Sequence, residues 1–237
     1  MNNIFHFKEF KVDQSDCAMK VNTDGVLLAA LVQAKNPQRI LDIGTGTGLI
    51  SLMLAQRFET AGIDAVEIDE KAANRAGTNF NESPFANRLT SIHTSIEEFF
   101  LSTNESYDLI ISNPPFFINS LKSEVLTKEI ARHTSPDFFE NLLNQSTRKL
   151  SLNGCLVMIL PIETSILIEN LVITDANLHL NEIINIHSFD DSKPHRKILK
   201  IGLNPTELNL NKFVIYESQG IYSSEYQNLL KDFFTIF

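Results

Sequence analysis

The sequence predicts an α/β protein with an open, mostly parallel sheet and helices on both faces. Three observations predict it. Apolar β-type runs alternate with stretches of helical periodicity, beginning with Arg39–Ile43 and Leu49–Arg57, as strand–helix–strand units do. The turn Gly44-Thr45-Gly46-Thr47-Gly48 joins that strand directly to that helix. A later apolar run, Tyr107–Ser112, is stopped by Asn113-Pro114-Pro115, so the chain must leave the sheet at the strand's carboxyl end.

Length and charge set the limits. The chain has 237 residues, enough for one well-cored domain, and no Pro/Gly/Ser-rich linker divides it. It reads as one domain over 1–237, with residues 1–25 as an extension that is a candidate substrate-facing hairpin. A formal charge of −9 argues against holding nucleic acid on a uniformly basic surface, so any such binding must be local. Cys17 and Cys155 read as reduced thiols, and no Cys/His cluster has metal-ligand spacing. The opening residues are polar and no apolar run has the length of a membrane span, so the expected location is the cytoplasm, without membrane or metal.

Taken in order, residues 5–12 alternate apolar and polar side chains like a half-exposed strand or hairpin arm, and residues 13–20 form a polar loop. Lys8, Lys11 and Lys20 lie among aromatic residues here, either as an RNA-facing surface or as a solvated strand face. Thr23 or Asp24 can cap a helix starting near Gly25. Next come the first buried strand and the glycine turn. Its glycines permit backbone angles closed to other residues and let a ligand approach the main chain, while the following helix offers unpaired N–H groups. A nucleotide-type cofactor is the inference. Leu49 stands where the dinucleotide fingerprint needs its third glycine, which disfavours NAD.

Residues 62–68 read as a second strand and 69–80 as its helix. Glu67, about twenty residues past the turn, is placed to take both hydroxyls of a ribose, with Asp69 as rival and a plain surface glutamate as the bland alternative. Residues 89–93 form a third strand, followed by Thr94-Ser95-Ile96. At the end of the fourth, proline rings hold Asn113 extended and keep the Asn113 and Pro114 carbonyls out of any ladder. A carboxamide oxygen, a carbonyl and the Phe116 ring suit a flat substrate with an exocyclic NH2, although a strand-ending turn with a core phenylalanine has the same sequence. Glycine turn, Glu67 and Asn113 share the carboxyl edge of the sheet, where open parallel sheets bind ligands.

Residues 117–136 are long for a connection and carry Lys122, Lys128, Arg132 and His133, as a lid over substrate would. Helices are expected at 137–150 and 164–174, strands at 155–160, 178–187 and 198–203, and a terminal strand and helix at 208–216 and 225–234. The loop expected at 188–197 holds Lys193, His195, Arg196 and Lys197, either a phosphate contact or an exposed hairpin tip.

Asp42-x-Gly44-x-Gly46-x-Gly48 resembles the cofactor motif of class I S-adenosylmethionine-dependent methyltransferases, and Asn113-Pro114-Pro115-Phe116 resembles that of enzymes methylating exocyclic or amide nitrogens. With the stretch Phe5 to Gln14, Met19-Lys-Val-Asn-Thr-Asp-Gly25 and Lys193-Pro-His-Arg196, nearly the whole chain resembles the bacterial tRNA(Val) adenine-N6 methyltransferase family. The resemblance implies a seven-stranded Rossmann-like sheet with an antiparallel last strand, S-adenosylmethionine as cofactor and a tRNA anticodon-loop adenine, position 37, as substrate. A monomer is expected in preference to an obligate oligomer. The resemblance assigns catalysis to Asn113, Pro114 and Phe116. The cofactor falls to Asp42, Gly44, Gly46, Gly48, Glu67 and Asn113, with Lys20 and Thr23 before the first helix and Ile68, Ser95 and Ile96 at the next strand ends. Ser95 stands where relatives often carry an acidic residue. Substrate falls to Pro115, Phe116, Phe117, Arg132, His195, Arg196 and Lys197.

A glutamine N5-methyltransferase would use the same two acceptors, but such enzymes carry Tyr after the prolines and a helical N-terminal domain. A DNA adenine methyltransferase would need a recognition domain for which no chain remains. A non-catalytic RNA-binding protein that keeps the cofactor pocket would not need Asn113-Pro-Pro-Phe intact.

Overall fold

The computed structural model describes residues 3–15, 17, 20–114 and 136–237. The N-terminal extension is a hairpin, β1 (Ile4–His6) antiparallel to β2 (Lys11–Asp13), whose turn directs Phe7 and Phe10 inward as a stacked pair at 4.5 Å. Its lysines are engaged within the fold: Lys8 donates to the Phe237 carbonyl at 3.0 Å and Lys11 pairs with Glu82 at 3.0 Å.

Helix α1 (Thr23–Leu31) is capped by Asn22, whose side chain accepts from the Gly25 N–H at 2.9 Å. The expected caps, Thr23 and Asp24, already lie in the first turn. Asn22 is the last residue with extended angles, and a cap must have them.

Then follow β3 (Arg39–Ile43), α2 (Leu49–Arg57), β4 (Gly62–Glu67), α3 (Glu70–Asn81), β5 (Leu89–His93), α4 (Ile96–Ser102), β6 (Tyr107–Ser112) and α5 (Pro136–Arg148). The second half adds β7 (Leu150–Pro161), α6 (Ile162–Thr174), β8 (His179–His187), β9 (Pro194–Gly202), β10 (Asn209–Val214), the small hairpin β11 (Tyr216–Ser218) and β12 (Ile221–Tyr222), and α7 (Ser224–Leu230).

One sheet orders its strands β10-β8-β9-β7-β6-β3-β4-β5. Neighbours are parallel except at β9, which runs antiparallel to both β7 and β8. The count is therefore eight and not the expected seven, because β10 adds to β8 in parallel. Residues 209–212 of β10 are exposed and mostly polar, as suits a strand with one open edge.

A second difference concerns β9, which starts at Pro194, four residues before the expected 198. Proline is tolerated as the first residue of a strand, so Pro194, His195 and Arg196 join β9 and Lys193 alone of the four stays in the turn. Side-chain alternation along the strands fills two cores. Ile40, Ile184, Ile186 and Ile198 join the cluster under α1, α2, α7 and the N-terminal hairpin, while Leu41, Leu199 and Ile201 join the cluster under α4, α5 and α6. The strand order reverses between β3 and β6, which opens a crevice at their carboxyl ends. No helix among the described residues is long and apolar enough to cross a membrane.

Candidate active site

The glycine turn sits where β3 ends. Gly44, Gly46 and Gly48 all have positive φ, at 72°, 58° and 84°. Their surroundings differ. A Cβ at Gly44 or Gly46 would meet nothing within 4 Å, whereas one at Gly48 would lie 2.4 Å from Phe80 Cε1. The first two keep space open beside the main chain, and the third lets α3 close on the start of α2.

Beneath the turn, Asp42 is fully buried, and its Oδ2 accepts from Thr45 Oγ1 and Ser51 Oγ, each at 2.7 Å. The carboxylate thereby braces the turn. Oδ1 has no hydrogen-bond partner. Burial pushes the Asp42 pKa up to about 6, against the two hydroxyl hydrogen bonds that favour the ionised form. Asn79, also buried, braces the turn from the far side: its Nδ2 donates to Thr47 O at 2.8 Å and to Asp13 O at 3.0 Å. Nothing in the sequence marked Asn79, since a helical asparagine acquires this role only through tertiary contact.

At the end of β4 the two carboxylates are told apart. Asp69 caps α3, accepting from Ala72 N–H at 2.8 Å. Glu67 instead faces the turn, where Oε2 accepts from Gly46 N–H at 2.9 Å and Oε1 from Asp69 N–H at 3.0 Å. Each oxygen keeps a further lone pair for a hydroxyl. Ile68, beside it, is 46% exposed and offers an apolar face at the same edge. Ser95 caps α4 by accepting from Glu98 N–H at 3.2 Å, so its hydroxyl proton is what remains for a ligand, and Ile96 behind it is buried.

At the end of β6, Ser112 Oγ donates to Ile43 O at 3.0 Å and ties the strand end to the turn. Asn113 follows, 9% exposed, and its Oδ1 is buried without a hydrogen-bond partner among the described residues. An unpaired buried acceptor costs roughly 1–3 kcal/mol, which a fold bears where a ligand compensates it. Pro114 is buried beside it. Pro115, Phe116, Phe117 and Arg132, with the rest of the expected lid, lie outside the described residues.

The basic cluster does not form a single patch. Arg196 and Lys197 are consecutive residues of β9 and point to opposite faces: Arg196 Nε bonds Asp24 Oδ2 of α1 at 2.8 Å, and Lys197 Nζ bonds Glu169 Oε1 of α6 at 2.7 Å. Each of the two cations therefore faces a carboxylate of the fold, Arg196 on the α1 side and Lys197 on the α6 side. His195 is half-buried and its Nδ1 has no partner; burial and then Arg196 lower its pKa, which favours the neutral ring. Lys20 and Thr23 are both exposed next to the Asn22 cap. A cleft of about 470 Å3, lined in part by Asn181, Glu182 and Lys200, opens on the opposite, amino edge of the sheet. It is remote from the glycine turn.

The arrangement fits a nucleoside-bearing cofactor against Gly44 and Gly46 and an amine donor against Asn113. The strand order, with one antiparallel strand and a glycine turn leaving the central strand, defines a class I methyltransferase fold. A solved predicted O-methyltransferase from Agrobacterium tumefaciens shares that fold, with TM-score 0.65 over 89% of this chain and 96% of that one at 19% identity. The family model for the methyltransferase small domain matches residues 17–168. A relative in Pedobacter heparinus named tRNA1(Val) (adenine(37)-N6)-methyltransferase is 44% identical over 100% of both chains, and one of the same name in Parabacteroides distasonis is 40% identical over 98% of both. The chain belongs to the methyltransferase small-domain family and, within it, to the family of these two relatives.

Proposed function

We propose that the protein transfers a methyl group from S-adenosylmethionine to the exocyclic N6 of adenine 37 in the anticodon loop of a valine tRNA. The observation that carries the reading is the buried Oδ1 of Asn113 at the carboxyl end of β6, which has no partner among the described residues. The names of the full-length relatives supply the substrate, and the chain works as one domain whose N-terminal hairpin shares the core of α1 and α7.

When bound, S-adenosylmethionine supplies an electrophilic methyl on a positively charged sulfur. Gly44 and Gly46 would admit it to the backbone, Glu67 would take its ribose hydroxyls, and Ile68 and Asp42 Oδ1 would serve as further contacts. The Ser95 hydroxyl and the backbone of Ile96 serve the adenine edge, and Lys20 and Thr23 close the amino end of α1.

The acceptor needs activation because the N6 lone pair is delocalised into the purine. Asn113 Oδ1 and the Pro114 carbonyl each accept a hydrogen bond from the amine and localise electron density on nitrogen, which takes the methyl group and then sheds one proton to solvent. Holding the amine in line supplies much of the acceleration. Phe116 replaces the stacking lost when the base is extruded, an effect of about 1–3 kcal/mol, and Pro115, Phe117 and Arg132 are assigned to substrate with it. A loop adenine is cheaper to extrude than one in a duplex.

Asn113→Ala should lower single-turnover methyl transfer to purified tRNA by roughly 10²–10³ while leaving cofactor affinity within about twofold, as expected when an acceptor of the reacting state is removed. Turnover like wild type would remove Asn113 from the chemistry. Nucleoside mass spectrometry of tRNA from cells with and without the protein checks the product, N6-methyladenosine.

A further inference from the structure

Two stretches marked in the sequence, Thr23-Asp24-Gly25 and Lys193-Pro194-His195-Arg196, take no part in the chemistry at Asn113, yet they meet. Arg196 Nε donates to Asp24 Oδ2 at 2.8 Å across 172 positions of chain, and the two side chains are only 28% and 19% exposed. Arg196 Nη1 also donates to the His195 carbonyl at 2.9 Å, so the guanidinium is held in orientation.

The partners anchor opposite sides of the crevice. Arg196 lies in register with Pro161, the last residue of β7, and β7 pairs Met158 with Ser112, the residue before Asn113. Asp24 belongs to the first turn of α1, where Gly25 approaches α2 so closely that a Cβ would sit 3.3 Å from Leu49 Cδ2. Leu49 directly follows the glycine turn. Along this path the ion pair connects the strand beside the methyl-acceptor site to the turn on the cofactor side.

We infer that Asp24 and Arg196 are positioning residues, a strut that fixes the amino end of α1, with Lys20 and Thr23, over the cofactor crevice, and that Arg196 acts on cofactor affinity and not on tRNA phosphate. The inference rests on the methyl-transfer reading above. A partly exposed ion pair adds little to global stability, so its loss should appear in geometry before it appears in unfolding.

The test compares wild type, Arg196→Ala, Asp24→Asn and the exchanged pair Asp24→Arg/Arg196→Asp. Calorimetry measures S-adenosylhomocysteine binding, kinetics give KM for S-adenosylmethionine, and tRNA affinity is followed against salt. Each single variant should weaken cofactor binding and raise that KM about tenfold, in the range of coupling for contacting residues, with urea midpoints close to wild type. The exchanged pair should recover most of the loss. The salt dependence of tRNA binding should not change in Arg196→Ala. Cofactor binding like wild type in the single variants, an exchanged pair no better than either, or a flattened salt dependence in Arg196→Ala would each overturn the strut. Wild-type protein that fails to bind S-adenosylhomocysteine would overturn the methyl-transfer reading, and the strut with it.

Discussion

Gly46 and Gly48 are two residues apart, share a left-handed backbone and answer to different demands. Alanine at Gly46 would strain φ by roughly 1–2 kcal/mol and put its methyl group into open space beside the turn. Alanine at Gly48 would add to that strain a collision with Phe80, together roughly 3 kcal/mol or more. Urea unfolding should therefore show Gly48→Ala as much the less stable protein, while calorimetry should show Gly46→Ala, still folded, losing the larger part of its cofactor affinity. Equal stabilities would mean that α3 gives way at Phe80. Asp42 makes a second prediction at this scale. Burial raises its pKa from 3.8 to about 6, so the folded state holds the proton more tightly than the unfolded state. Its contribution to stability is complete below the unfolded value and is lost as pH rises from about 4 to 6, on the order of 3 kcal/mol in all. Asp42→Asn removes this dependence. The stability of the variant relative to wild type should climb across that window and level off above it; a difference that does not vary with pH would show that Asp42 does not titrate there.

Among the elements, legibility followed locality. The strand–turn–helix unit at 39–57 was readable because glycine spacing and apolar runs are local signals, and β3 and α2 fall where the periodicity placed them. Proline gave the exit of β6 for the same reason. The start of β9 is not legible because polar residues at 195–197 resemble a loop, whereas in a strand between two neighbours Arg196 and Lys197 alternate outward to α1 and α6 and find carboxylates there. Spacing favours Glu67 over Asp69 for a ribose, and in the fold Asp69 is taken by the helix start as its cap while Glu67 faces the glycine turn. The eighth strand was foreseen as an element and missed as a member of the sheet, because strand partners depend on how the chain returns and not on the strand's own residues. Asn22 stood next to the expected caps, and an Asn before Thr-Asp-Gly was a signal available for the asking.

For the whole molecule the proposed function raises the question of how a chain of net charge −9 would hold a polyanion. Many of its cations are committed internally: Arg75 to Asp13, Arg88 to three carbonyls, Arg196 to Asp24, Lys197 to Glu169 and Lys212 to Asp190. On the carboxyl edge Lys20, Lys71 and Lys193 are exposed, and among the described residues their ammonium groups have no partner. They stand before α1, in the first turn of α3 and at the turn between β8 and β9, around the crevice that holds Asn113. A tRNA docked there would meet cations at the mouth of the site and repulsion elsewhere, which orients the loop without a broad basic face. Each phosphate contact contributes roughly 0.7–0.9 to the slope of log affinity against log salt. Lys193→Ala should therefore flatten that slope by about one such step between about 50 and 200 mM salt, whereas Lys197→Ala, whose ammonium already faces Glu169, should leave it as in wild type. Filter-binding titrations with valine tRNA at several salt concentrations measure both slopes. The reverse result, a flatter slope for Lys197→Ala and none for Lys193→Ala, would require the Glu169 pair to open on binding and would move the RNA path from the hairpin turn to the α6 face.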